Sequence, residues 1–367
     1  MTNPLLIKAK KQVANWLLLG VAMIVIQVLL GGITRLTESG LSITEWKPIT
    51  GTLPPLNDAS WQAEFDKYKG TDQFKYIHED FTLSDFKFIF FWEWFHRVWA
   101  RLMGMVFLVG FIYFIATKKL KREMVMPMVI LFVLGGLQGL VGWLMVKSGL
   151  VPEKYFVGHV ELATHFIMAL LLLSYTFWFA MKLKVPTRQL VKNAGLKRLI
   201  WTIAFVLFLQ LIYGGLMAGM RAALFAPTWP DINGAAIPQG MDSMLPLLQN
   251  LVNNPITVQF IHRGLAYLLF ILILIGWLKS RKINGSPLFR KLWTFTVVLI
   301  FVQVLLGILT VLNAAFADRL IWLGVSHQFA GMLLAMLITA LLFVTRSKFV
   351  ISGQVVPEAD RKRAFVE

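Results

Sequence analysis

The chain has 367 residues, of which 57% are hydrophobic and none is cysteine, and its mean hydropathy is +0.68. This composition excludes an ordinary soluble domain, and the lack of cysteine excludes disulfides, thiolate metal sites and thiol nucleophiles. The net charge of +17 is compatible with nucleic-acid binding, but the positions of the charges indicate a different cause.

Eight segments are apolar enough to cross a bilayer, which takes about 20 residues. The sequence predicts spans at 14–34, 89–115, 125–146, 157–181, 198–220, 256–278, 290–311 and 321–345. When the connecting segments are assigned to alternate sides, 23 of the 36 Lys and Arg residues fall on the side of the N-terminus. The positive-inside rule therefore predicts cytoplasmic termini. The net charge then reflects topology and attraction to anionic lipid, and no nucleic-acid partner is expected.

The N-terminal segment shows neither a transit peptide nor a small-residue cleavage site, so we expect a multi-pass protein of a bacterial inner membrane. Two external loops are long enough to act as lids or binding surfaces: 35–88, which carries nine acidic residues, and 220–255, which contains PTWPDING.

An internal repeat divides the chain. The odd-numbered spans each contain Q-x-x-x-G, at Gln27, Gln138, Gln210 and Gln303, and the even-numbered spans each contain a histidine, at His96, His165, His262 and His327. The pattern predicts an all-α protein of two pseudo-symmetric four-helix bundles, 1–185 and 190–367, related by a parallel repeat. The Gln and Gly residues fit close helix packing with a bond across helices, or contact with a bound macrocycle.

The four histidines share one depth. Each lies six to nine residues into its span, roughly 10–13 Å below the outer boundary at 1.5 Å per residue. Two imidazoles facing each other across a four-helix bundle form a bis-His haem site, so all four are candidate axial ligands of haem iron. A zinc site, a proton relay, and histidines satisfied by bonds between helices remain as alternatives.

The neighbours of the histidines differ between the halves. Glu93 lies one turn outward of His96, where it could act as an acid or base, while the matching position in the second half is Gln259. Arg97 and Arg263 directly follow a histidine and could bind haem propionates, snorkel, or pair with a loop acid. The asymmetry predicts one site that reacts and one that holds an electron-transfer cofactor.

Three further residues have weaker assignments. His78 lies in the first external loop and is expected to be solvated. His159 is about 240° around the helix from His165, which makes it an improbable ligand of the same iron, at 100° per residue. Glu161 is four residues before His165 and could support that ring.

Several motifs resemble the heme A synthase family, in its cysteine-free branch, and the resemblance covers all eight spans. They are the run from Gly31 to Pro55, Glu93-x-x-His96-Arg97, Met217-Ala-Gly-Met-Arg221 before PTWPDING, Val258-Gln-Phe-Ile-His262-Arg263, and Ser326-His327-Gln328.

The resemblance implies an oxidoreductase that converts a ring methyl of haem O to the formyl group of haem A. It implies a haem b cofactor in the second half, with His262 and His327 as its axial ligands. It also implies a substrate site in the first half, with His96 and His165 near the haem O iron and Glu93 as an essential acid. Expected partners are a haem O synthase, an electron acceptor and the lipid bilayer.

Two other classes of protein compete with this reading. A di-haem, quinol-oxidising electron carrier explains the four histidines equally well, but it explains neither the unpaired Glu93 nor the first-loop motif. A haem or proton transporter would be supported by helices broken near the middle of the membrane, and the sequence shows no Pro-interrupted pair of spans.

Overall fold

The computed structural model of the protein describes residues 4–45 and 50–346, and this part is almost entirely helical. It contains the α-helices α1 Pro4–Leu36, α2 Asp58–Lys69, α3 Asp72–Ile77, α4 Leu83–Ala116, α5 Arg122–Gly149, α6 His159–Lys184, α7 Ala194–Met220, α8 Asn250–Asn253, α9 Pro255–Arg281, α10 Pro287–Leu312 and α11 Ala317–Val344. All but α2, α3 and α8 are long and apolar enough to cross a membrane, which confirms the predicted eight-span, all-α membrane protein. Residues 46–49 of the first-loop motif and the C-terminal cations beyond 346 lie outside the described residues.

Polar caps set the outer ends of two histidine-bearing helices. α4 begins at Leu83, six residues before its predicted start, because Thr82 and Asp85 form a reciprocal capping box. α9 begins with Pro255 in its first turn, and the Asn254 side chain accepts from the exposed amides of that turn. We call the side of the chain that carries loop 35–88 the outer side.

The first external loop is folded against the outer end of α4. α2 and α3 bury Phe65 and Tyr68 against Phe86, Ile89 and Phe90, which project from the first two turns of α4. The Phe65 and Phe86 rings stack with centroids 5.0 Å apart. The extra length of α4 therefore provides the apolar surface on which the loop packs.

The eight long helices form two groups of neighbours. α1, α4, α5 and α6 pack around one core, and α7, α9, α10 and α11 pack around another. The two groups meet where α6 packs on α7 and where α11 packs on α1 and α6. Each group contains two of the even-span histidines, and in the second group the rings of His262 and His327 lie close together.

Candidate functional site

Each intramembrane histidine lies against one Q-x-x-x-G repeat. In every case the Gln amide Nε2 donates to a ring nitrogen on the facing helix, at 3.0 Å for Gln27–His96, 3.2 Å for Gln138–His165, 3.2 Å for Gln210–His262 and 3.4 Å for Gln303–His327. The glycine one turn later leaves room for the same ring, since a Cβ at Gly142 would lie 2.8 Å from His165. This confirms close helix packing with a Gln bond across helices as one role of the repeat.

The spacing of the two second-half rings would fit two ligands of one iron. The His262 and His327 rings have centroids 6.5 Å apart. Two imidazoles joined to one metal through bonds of about 2 Å have centroids roughly 6 Å apart. Both Nε2 atoms accept a hydrogen bond from a Gln amide, so they are unprotonated and carry the lone pairs that a metal would take, and both Nδ1 atoms are buried without a partner in the described part of the chain. These residues fit a bis-His haem, provided that the two Gln amides turn away when iron binds.

The first-half pair is built in the same way from α4 and α6. Gln27 also donates to the backbone oxygen of His96 at 3.2 Å, and Gln138 to that of His165 at 3.0 Å, so each Gln holds both the ring and the helix that carries it. Within residues 4–45 and 50–346, no group of three or more His, Asp or Glu side chains could hold a metal ion. The zinc alternative therefore has no ligand set among the described residues.

Glu93 fastens the first external loop to α4. Its Oε2 accepts from Ser42 Oγ at 2.7 Å and from the Ile43 amide at 2.8 Å, and its Oε1 accepts from Arg97 at 2.5 Å. The side chain is only 3% exposed. Arg97 donates in addition to the Ile43 and Glu45 carbonyls. The carboxylate is thus fixed one turn outward of His96 and covered by the loop.

The second half uses the matching positions for the matching loop, without a carboxylate. Gln259, which is fully buried, donates to the Ala226 carbonyl at 2.8 Å. Arg263 donates to the carbonyls of Ala226, Thr228 and Asp231. In both halves, the residues three before and one after the histidine therefore anchor an external loop.

The loop contacts bear on the predicted propionate role of the arginines. Arg97 and Arg263 both point to backbone carbonyls of the loops, and Arg97 is ion-paired with Glu93. Their pairing with propionates therefore stays a prediction, as does the alternative of pairing with a loop acid, for which the nearest candidate is Asp231 beside Arg263.

The expectation that His78 is solvated is wrong. Its side chain is buried, and both ring nitrogens have partners: Nδ1 lies 2.6 Å from the Tyr68 hydroxyl and Nε2 lies 3.1 Å from Glu38 Oε2. The ring stacks on Phe81. Glu38 also forms an ion pair with Arg221, the residue that ends α7. This outer cluster joins the first external loop to the second half.

The cluster perturbs the titration of its members. Burial raises the pKa of Glu38, but the hydrogen bond to His78 and the charge of Arg221 outweigh it, so the pKa lies below its ordinary value. Burial and the negative charge of Glu38 raise the pKa of Tyr68. Sequence reasoning missed Glu38, Tyr68 and Ser42 as structural partners, although Glu38 and Ser42 lie within the first-loop motif.

His159 and Glu161 stand apart from the iron-facing rings. His159 Nε2 lies 2.9 Å from Asn253 Oδ1, at the outer end of the second half. Glu161 is exposed and forms no hydrogen bond with His165 in the described structure. The proposed support of His165 by Glu161 is therefore not seen.

The two groups of helices pack closely against each other at glycines of α1 and α7. Gln328, next to His327, donates to the Val28 carbonyl at 2.7 Å, and a Cβ on Gly32 would lie 2.5 Å from its Oε1. On the other side, a Cβ on Gly215 would lie 2.8 Å from the Ala163 Cα of α6. On α1 and α7, the glycine that follows the site-facing glycine thus admits a helix of the opposite half.

Comparisons with known proteins agree with this architecture. The model of the COX15-CtaA family, described as cytochrome oxidase assembly proteins, matches residues 14–339. The chain belongs to this family. The match runs from the first span to the last and includes all four histidines.

Curated relatives of this COX15-CtaA protein carry a common name. Proteins named heme A synthase from Parvibaculum lavamentivorans, Flavobacterium johnsoniae and Azorhizobium caulinodans are 42%, 40% and 39% identical to it. The aligned regions cover 86%, 88% and 94% of this chain and 90%, 94% and 96% of the respective relatives. The resemblance read from the motifs is therefore confirmed at the level of the family, and the relatives indicate an enzyme.

Proposed function

We propose that this chain is a heme A synthase, an oxidoreductase that converts a methyl group of haem O to the formyl group of haem A for terminal oxidases. The supporting observation is that two pairs of half-buried histidines occupy matched positions, each ring bonded to a Gln of the facing helix, while only the first pair has a carboxylate, Glu93, one turn away. The bilayer is a bacterial inner membrane, and both termini face the cytoplasm.

The two halves take different haems in this proposal. Residues 190–367 hold haem b between His262 and His327, and residues 1–185 bind haem O with His96 and His165 toward its iron. The fit of the second-half rings to one iron supports the first assignment. The carboxylate and the looser packing of α4 and α5 support the second. A haem O synthase supplies the substrate, an electron acceptor takes the four electrons removed from the methyl carbon, and the formyl oxygen comes from water, with release of four protons.

When bound, haem iron supplies the oxidising chemistry that an unactivated methyl C–H bond requires. The residues of the chain provide position and polarity. Gln27 and Gln138 fix the rings of His96 and His165, which orient the porphyrin. Glu93, held by Ser42, Ile43 and Arg97, offers carboxylate oxygens that can accept a proton as the methyl carbon is oxidised. The folded first loop covers these groups on the outer side.

The test is chromatography of the haems extracted from a host that makes haem O but no haem A. Expression of the unmodified chain is expected to yield haem A, and expression of the Glu93→Gln variant is expected to leave haem O unchanged. Haem O unchanged with both chains, from protein that is folded and carries two haem b groups, would overturn the proposal in favour of a di-haem electron carrier.

A further inference from the structure

A cavity of about 120 Å³ opens at the outer end of the first half. The end of α5 forms one wall with Trp143 and Lys147, the first external loop forms another with Ile43 and Glu45, and Arg97 of α4 contributes a third side. The cavity therefore lies between the histidine-bearing helix α4 and the loop that Glu93 holds in place.

Most charges that line the cavity are neutralised. Arg97 is paired with Glu93, and Glu45 is paired with Lys67 at 3.1 Å. Lys147 forms no ion pair within the described ranges, and its ammonium group lies 5.3 Å from the centre of the Trp143 ring. Among the described residues that line the cavity, Lys147 is thus the cation without an ion pair, while the ammonium group of Lys67 is shared between Glu45 and Glu64, the latter at 2.9 Å.

The position of Lys147 suits a ligand that also reaches the histidines. It lies nine residues after Gln138, which bonds to His165, and this places it about 13 Å farther outward along α5. Arg97 directly follows His96. A porphyrin whose iron faces the histidines and whose acidic edge points outward would bring its propionates toward this cavity.

The second half has no equivalent cation. The offset of 165 residues that relates Gln138 to Gln303 places Leu312 at the position of Lys147 and Ile308 at that of Trp143. The other cations on that side of the second half are engaged elsewhere: Arg263 donates to three loop carbonyls, Arg221 is paired with Glu38, and Arg319 donates to the Asn313 side chain. The positive-inside rule explains cations on the side of the termini, whereas Lys147 lies on the outer side, where cations outside loop 35–88 are few. Membrane topology therefore does not account for Lys147.

We propose that this cavity binds a propionate carboxylate of the porphyrin substrate, and that Lys147 is a specificity-determining residue that recognises it. The inference rests on the proposed function. An ammonium group and a carboxylate form a charge-assisted hydrogen bond, which is about twice as strong as a neutral one. The charge would select an acidic porphyrin and fix which edge of the ring points outward, and thereby which methyl groups lie near Glu93.

The experiment uses the purified full-length protein with haem b in place. Optical titration measures the affinity for haem O and for haem O dimethyl ester, in which both propionates are blocked. The variants are Lys147→Met, which keeps the length of the stem, Lys147→Arg, which keeps the charge, and the control Lys154→Met, which removes an exposed lysine of the following loop.

The expected result is that Lys147→Met weakens haem O binding about tenfold, or 1.4 kcal/mol, and raises KM more than it lowers kcat. It should bind the ester and the acid equally well, whereas Lys147→Arg and Lys154→Met should retain the preference for the acid. Equal affinity of Lys147→Met and the unmodified chain for haem O, or an unchanged preference for the acid, would overturn the inference. If Lys147 governs binding but the unmodified chain yields no haem A, the proposed function fails and the carboxylate site stands.

Discussion

The two halves have the same arrangement of four helices, but α4 and α5 of the first half pack less tightly than α9 and α10 of the second. The difference is clear between α4 and its counterpart α9, whose apolar stretches are 6% and 28% buried, and slight between α5 and α10, at 6% and 11%. Along α5, a Cβ at Gly135, Gly136 or Gly139 would meet no atom within 4 Å. The first half is therefore open toward lipid on the face formed by α4 and α5, and the second half is more closed.

This difference matches the residence time expected of each haem. A cofactor that stays bound is served by a packed bundle, whereas a substrate with a long apolar tail must enter from the membrane and its product must leave. The polar groups differ in the same sense, because Glu93 occupies in the first half the place that the neutral Gln259 occupies in the second. In the proposed function, one bundle plan would thus support two roles through a change of packing and of one charge.

The largest effect is expected when the negative charge of Glu93, which has no counterpart at Gln259 of the second half, is removed. Glu93→Gln can still accept hydrogen bonds from Ser42 and Ile43, so the loop stays in place, but haem A formation should fall at least about 100-fold. Gln259→Glu should keep haem b, because Arg263 can pair with the new carboxylate as Arg97 does with Glu93. Activity is measured as haem A extracted per protein. Activity restored in the double variant would contradict the difference between the halves.

The next effect concerns the glycines that face the histidine rings. Gly142→Ala and Gly307→Ala would place Cβ 2.8 and 3.0 Å from His165 and His327, so both rings must move. Gly214→Ala is the matched control, since its Cβ would lie at an ordinary 3.4 Å from His262. We expect Gly307→Ala to lower haem b content several-fold, Gly142→Ala to lower haem A formation only, and Gly214→Ala to change neither.

Alanine is about 1 kcal/mol more favourable than glycine in a helix, so a loss of haem b or of activity in these variants cannot be caused by a weaker helix. The readouts are the haem b absorbance per protein and the haem A yield. Loss of haem b with Gly142→Ala would show that the halves do not act on separate haems.

A smaller effect is expected when the loop anchors are weakened. Arg263→Lys removes at least one of three hydrogen bonds to loop carbonyls and should destabilise the loop by about 1–3 kcal/mol. The expected outcome is faster proteolytic cleavage within 226–249 at unchanged cleavage elsewhere. Lys154→Arg, a change at an exposed position, serves as the control, and equal cleavage rates in all chains would show that Arg263 does not hold the loop.

The smallest effect concerns the outer cluster and pH. Because the pKa of Glu38 is lower in the folded protein, its stabilising contribution is present above its ordinary value of 4.5 and is lost as the pH falls through that value and the folded one. At pH 7, Glu38→Gln should reduce stability by about 1 kcal/mol. The difference in thermal midpoint from the unmodified chain should shrink as the pH approaches 4. A constant difference would assign the contribution to packing instead of charge.

The sequence was sufficient for the eight spans, because hydropathy reports directly on membrane helices. It also suggested the Gln contacts across helices, at Gln27 for example, but not that each amide would meet a histidine. The burial of His78 could not be predicted, since it depends on Tyr68 and Arg221, which are distant in sequence and meet only after the loop folds. The Lys147 cavity likewise depends on three separate segments.

The most direct test of the division between the halves is the haem b content of two purified variants measured side by side. His262→Ala is expected to lose haem b, whereas His96→Ala is expected to retain it and yet to make no haem A. The matched positions of these residues on α9 and α4 make each variant the control for the other. Equal loss of haem b from both variants would contradict the assignment of separate haems to the two halves.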